Sequence, residues 1–136
     1  MSSSRCRPSL VSIAACAALI SVFATAPMAE QPASIAGTWS GGGTVTLRSG
    51  NVEKVRCRAT FSPSGDGASM SASCANATAK VTQTAELTRV SPTRYIGEFH
   101  NPEFNVSGSI RITLSGNSLI ASLSGGGGSA SMNMNR

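Results

Sequence analysis

Two short runs of alternating residues constrain this chain more than any other feature. In residues 53–62, Val55, Cys57, Ala59 and Phe61 take every second position, with Lys54, Arg56, Arg58, Thr60 and Ser62 between them. Residues 68–75 repeat the pattern, with Met70, Ala72 and Cys74 set against Ser69, Ser71 and Ser73. A period of two puts successive side chains on opposite faces, so each run is a strand with one face buried. The intervening Pro63-Ser64-Gly65-Asp66-Gly67 has the composition of a turn. Folding about the Gly65–Asp66 bond sets Phe61 opposite Met70, Ala59 opposite Ala72 and Cys57 opposite Cys74. Directly opposed strand residues have Cβ atoms about 4.5–5.5 Å apart, within reach of a disulfide after slight adjustment. A slip of one residue would turn one cysteine to solvent. Apolar pairing and thiol pairing therefore select the same register.

The same pattern continues on both sides. Val45 and Leu47 are inward in the run from Gly37 to Arg48, and Val81, Gln83, Ala85 and Leu87 in residues 79–90. Tyr95, Gly97 and Phe99 follow, then Val106, Gly108, Ile110, Ile112 and Leu114. Gly116-Asn117 turns into Leu119, Ala121 and Leu123, and residues 125–128 turn into Ala130, Met132 and Met134. No stretch of helical length has a period of 3.6. The reading is all-β: a small eight-stranded antiparallel meander barrel, closed because closure removes exposed edges. A β-sandwich is the alternative. The outward positions are Ser, Thr, Lys and Arg, whereas a membrane barrel must present an apolar band to lipid.

The first residues read as an address. Arg5 and Arg7 precede an apolar run from Ser9 to Ala26, and small residues follow through Ala29. This is a secretory signal peptide over 1–29, with cleavage after Ala29 or Ala26, a linker over 30–36 and a single barrel domain over 37–136. The apolar run is shorter than the about 20 residues of a membrane span, and none is expected in the mature protein. A competing lipoprotein box, Ile13-Ala14-Ala15-Cys16, is the lesser reading. Cleavage lowers the formal charge from +5 to +3 and leaves Cys57 and Cys74 as the only cysteines. Two cysteines in an exported chain make one disulfide. Location is expected to be periplasmic or secreted.

Gly37-Thr38-Trp39 resembles the Gly-x-Trp start of lipocalin-like and avidin-like barrels, and of small barrels of the bacterial alkaline-protease-inhibitor type. Trp39–Val45, Arg56-Cys57-Arg58 and Asn105–Ile110 resemble an uncharacterised family of small exported proteobacterial proteins. The resemblance implies an exported eight-stranded barrel with one disulfide that binds a small ligand or inhibits a protease. In the inhibitor case Glu30–Ala36 would be the inserting segment.

Catalysis is not expected. His100 is the only histidine and stands in a hairpin context with no nucleophile motif. It cannot complete a tetrahedral zinc site, so no metal or other cofactor is expected. The glycine runs at 41–43 and 125–128 lack the helix and Lys-Ser/Thr pair of a phosphate loop. Two binding features remain. Arg48, Lys54, Arg56 and Arg58 are expected to form an outward cationic strip suited to an anionic envelope polymer, with Lys80, Arg89 and Arg94 further along. Nucleic acid is not expected, because no aromatics interleave with these charges. Inside, a belt of Ala59, Ala72, Ala85, Gly97, Gly108, Ala121 and Ala130 either packs closely or leaves a cavity. Trp39, Gln83 and Tyr95 are the candidate pocket residues. An exported, non-enzymatic binding or interaction module is the reading, with a periplasmic protease inhibitor and an envelope-associated structural protein as alternatives.

Overall fold

The computed structural model describes Phe23 and residues 34–136. The expected signal peptide apart from Phe23, its expected cleavage sites, Cys16 and residues 30–33 of the expected linker lie outside the described residues. The eight strands are β1 (Gly37–Leu47), β2 (Val52–Ser64), β3 (Gly67–Ala75), β4 (Lys80–Ser91), β5 (Arg94–Asn101), β6 (Val106–Ser115), β7 (Ser118–Gly125) and β8 (Gly128–Asn135). Each pairs antiparallel with its sequence neighbours, and β1 pairs with β8 to close the barrel. The sandwich alternative is thereby excluded.

The β2–β3 register is the expected one: Cys57↔Cys74, Ala59↔Ala72 and Phe61↔Met70. Cys57 and Cys74 are joined by a disulfide across a Cα–Cα distance of 4.1 Å. The turn is tighter than its composition suggested. Pro63, Ser64 and Gly67 belong to the strands, leaving Gly65 and Asp66 alone to reverse the chain. Gly65 does so at a φ of 56°, a left-handed value that glycine adopts without a steric cost.

Closing eight short strands requires sharp bending, and glycine permits it where β1 meets β8. A Cβ on Gly41 would run into the Asn133 carbonyl, and one on Gly43 into that of Ser131. The Gly41-Gly42-Gly43 run is thus a seam at which two backbones approach, as the corners of small barrels demand.

The meander places its connections alternately at two ends. One end carries the β2–β3, β4–β5 and β6–β7 turns together with Ser34–Ala36 and Arg136. Here the core is sealed. Trp39 is 0% exposed and Ile35, expected as linker, is 2% exposed. The Trp39 indole Nε1–H donates to the Ile35 carbonyl at 2.9 Å. The Arg136 guanidinium lies 4.4 Å from the Trp39 ring centroid and donates to the Ala36 carbonyl at 2.9 Å, a cation–π contact and a hydrogen bond from one side chain. Both ends of the folded domain are thereby tied to the plug. Most of the belt of small residues is packed: Ala59, beside Trp39 in the register, is 2% exposed, and Ala72, Ala85 and Ala121 are also buried, whereas Gly97, Gly108 and Ala130 are half-buried and Ala130 borders a cavity.

Candidate functional site

The inward positions change character along the barrel. On β2, Cys57, Ala59 and Phe61 are buried while Val55 is half-buried; on β4, Ala85 and Leu87 are buried while Val81 and Gln83 are half-buried. The same step separates Met132 and Met134 from Ala130 on β8, and Ile110, Ile112 and Leu114 from Val106 on β6. In each case the half-buried residue lies toward the end that carries the β1–β2, β3–β4, β5–β6 and β7–β8 loops. Apolar side chains that face inward yet keep contact with solvent outline a cavity.

That cavity has a volume of about 530 Å³, within the range of small-molecule sites. Val45, Val55, Val81, Val106 and Leu123 contribute aliphatic wall, and Cys74, Phe99 and Met132 line its inner part. The Met132 Sδ lies 3.5 Å from Cys57 Sγ; a disulfide sulfur carries no proton, so this is packing and not a hydrogen bond. The lining is not purely apolar: Gln83 is polar, and Glu53, Asn76, Thr78, Asn101 and Ser129 line the same space. One Gln83 amide N–H approaches Cys74 Sγ at 3.5 Å, a weak acceptor, and the side chain otherwise faces the cavity. No Lys, Arg or His lines the space, and the one charged side chain that does is Glu53.

The rim is held by polar contacts. Asn76 donates from Nδ2 to Glu53 Oε2 at 3.0 Å, and its Oδ1 accepts from the Thr78 and Ala79 N–H groups at 2.9 and 2.8 Å. Further round the rim, Glu103 Oε1 accepts from the Thr82 hydroxyl at 2.7 Å and the Thr82 N–H at 3.1 Å. The hydroxyl contact, aided by the backbone bonds, lowers the Glu103 pKa below the ordinary carboxylate value.

The three residues expected to share a pocket are not brought together. Gln83 lines the open cavity, Trp39 is sealed in the plug, and Tyr95 lies at the closed end. Tyr95 borders a groove there with Arg89 and Asp66. Period two placed Gln83 and Tyr95 inward, and Trp39 entered through the Gly-x-Trp resemblance; neither gives the height along the barrel. The aromatic at the open rim, Phe104, was missed because it sits in a loop outside the alternation; its signal was the lone Phe beside Pro102 and Asn105.

Lys54, Arg56 and Arg58 are exposed on the outer face of β2. Arg48 falls in the β1–β2 turn, one residue beyond the end of β1, so the strip occupies one strand and its preceding turn. The outward positions of the flanking β8, β1 and β3 carry no acid. Arg89 departs from the expected strip: it shares the inward phase of Leu87 and Ala85, lies 6.0 Å from the Tyr95 ring centroid and donates to the Ser91 and Pro92 carbonyls. On the opposite flank Glu86 and Glu98 are paired across β4 and β5. His100 Nδ1 lies 2.9 Å from Ser107 Oγ on the outer wall, with both residues exposed on a convex sheet surface. Among the described residues there is no cluster of three or more His, Cys, Asp or Glu arranged to hold a metal.

No family model matches the chain, and no curated protein matches it. Solved structures do. One redesigned β-barrel aligns over 74% of this chain and 90% of its own length, with a TM-score of 0.59 and 17% identity. The redesigned β-barrel mFAP1 bound to DFHBI aligns over 74% and 94%, with a TM-score of 0.62 and 17% identity. At that identity the likeness is one of fold.

Proposed function

We propose that this protein is an exported, non-enzymatic barrel that binds a small, uncharged, largely apolar molecule in its open-end cavity. The observation that carries the reading is the asymmetry of the interior: a plug of Ile35 and Trp39 at one end, and at the other about 530 Å³ bounded mainly by apolar side chains, with the Gln83 amide among its polar lining. Such a space holds apolar bulk, and a few polar groups such as the Gln83 amide fix orientation. An anionic ligand would lose its hydration without a counter-charge from the lining, and the one lining carboxylate, Glu53, is already engaged by Asn76 at the rim. The similar barrel mFAP1 was solved with DFHBI, so this architecture accommodates a small ligand. The Cys57–Cys74 disulfide supports an oxidising, exported compartment.

The test is fluorescence titration with the uncharged dye N-phenylnaphthylamine. Dye emission is expected to saturate at one site per chain. Ala130→Phe, which fills the cavity from β8, should abolish the signal while leaving the circular dichroism unchanged. Equal dye binding by the parent and Ala130→Phe would reject the reading.

A second reading rests on the acid-free cationic face: docking to an anionic envelope polymer through Lys54, Arg56 and Arg58. Its test is salt-dependent retention on such a polymer, treated among the predictions below.

A further inference from the structure

Beyond residue 29 the chain has five aromatic side chains. Four of them, Trp39, Phe61, Tyr95 and Phe99, are buried. The fifth, Phe104, is 63% exposed and lies on the rim of the open-end cavity. Folding gains little from a ring left in water. A single exposed apolar side chain needs no special cause; what sets Phe104 apart is how firmly its loop is fixed. Glu103 clasps Thr82 through the two hydrogen bonds described above. The Phe104 N–H donates to Asn101 Oδ1 at 3.3 Å, and Asn105 closes the turn at a φ of 49°.

The clasp also fills a gap in the barrel wall. β4 pairs with β3 as far as Ala75↔Lys80, but its pairing with β5 ends at Thr84↔His100. The Thr82 N–H lies beyond that last pair, and the Glu103 carboxylate serves as its acceptor. A charged side chain thus stands in for a missing strand neighbour, and in doing so places Phe104 at the mouth.

Resting on the ligand-binding reading above, we propose that Phe104 is the outer contact of the bound ligand and sets a preference for aromatic over saturated molecules. Glu103 is the positioning residue that holds it there. Phe99 lines the inner part of the same cavity, packed against Gly108, where a Cβ would sit 2.8 Å from its Cε1. A flat ligand in this space meets one ring from within and another at the rim. Aromatic pairs gain over saturated contacts of equal area through edge-to-face and offset geometry; the aliphatic walls offer no such discrimination. The ligand class is therefore an uncharged aromatic with one hydrogen-bonding group for Gln83.

The experiment is displacement of N-phenylnaphthylamine by naphthol and by decahydronaphthol, which share a skeleton and a hydroxyl and differ in aromaticity. The parent should prefer naphthol, and Phe104→Leu should reduce that preference by roughly fivefold while still binding the dye. Phe104→Trp should preserve it. Glu103→Ala should reduce it as Phe104→Leu does, whereas Glu103→Gln, which keeps an acceptor oxygen for Thr82, should preserve it. A purely structural Glu103 would lower the melting temperature of Glu103→Ala and leave the preference intact, which overturns the positioning role. An unchanged preference in Phe104→Leu overturns the proposal and leaves the cavity reading standing. Failure of the parent to bind the dye overturns both.

Discussion

The two ends of the barrel are made from the same eight strands and the same alternation, yet they are finished by opposite means. At the closed end Ile35 and Trp39 fill the interior and Arg136 covers the indole from outside. At the open end valines occupy the equivalent inward positions, and polar side chains tie the β3–β4 and β5–β6 loops to β2 and β4 around the space they leave. A large aromatic can reach the barrel axis; a valine cannot. The difference shows that barrel geometry does not decide whether an interior is solid. Side-chain size at each height decides it, and on the proposed reading stability and binding fall to different ends.

If that division holds, truncations should have unequal effects. The largest is expected at the plug: Trp39→Ala should cost about 3–5 kcal/mol, enough to unfold much of a domain whose total stability is of order 5–15 kcal/mol. Urea denaturation measures it, and a cost under about 1 kcal/mol would contradict the plug's role. Next comes the bridge between the two regions. Cys57 and Cys74 are separated by 17 positions, and closing a loop of this size contributes roughly 3 kcal/mol. The double change Cys57→Ala with Cys74→Ala should lower the melting temperature by more than about 5 °C while leaving a β-rich spectrum.

At the open end the same operation should do little. Val81 is half-buried against a space, so Val81→Ala should cost about 1 kcal/mol or less while altering dye affinity. A stability loss equal to that of Trp39→Ala would erase the contrast between the ends.

The smallest effects concern exposed charge. Glu103 has a lowered pKa, so its clasp is present at neutral pH and is lost as pH falls through that lowered value. Thr82→Val removes the hydroxyl donor and should move the Glu103 titration upward, observed by carboxyl NMR. An unmoved titration would contradict the Thr82 assignment. Arg56→Ser with Arg58→Ser should weaken retention on an anionic polymer most at low salt, without changing dye binding. Retention insensitive to salt would remove the cationic-face reading.

Much of the fold is legible in the sequence. Alternation around Cys57 and Cys74 contained the β2–β3 register, because one shift satisfied both apolar faces and both thiols. Period two also separated the inside from the outside on the other strands. Position along the barrel axis was not legible, because it depends on the stagger between neighbouring strands, and so Trp39, Gln83 and Tyr95 looked like one group. Arg89 misled for a related reason: the β4–β5 pairing shifts between Arg89 and Ser91, and a charged residue near a strand end can keep the inward phase while its guanidinium reaches turn carbonyls. Glu103 and Phe104 belong to a loop, where no period exists to place a side chain.

The seam between β1 and β8 has a consequence in time. Ser40 and Asn135, at opposite ends of the folded domain, are neighbours there, so the first strand waits unpaired along that side until the last has been delivered. Contacts between residues so distant in the chain form slowly, and a waiting edge recruits strands from other molecules. A chain ending before Gly128 would keep two such edges permanently. Its expected fate is aggregation, even though every hairpin from β1 to β7 is locally intact.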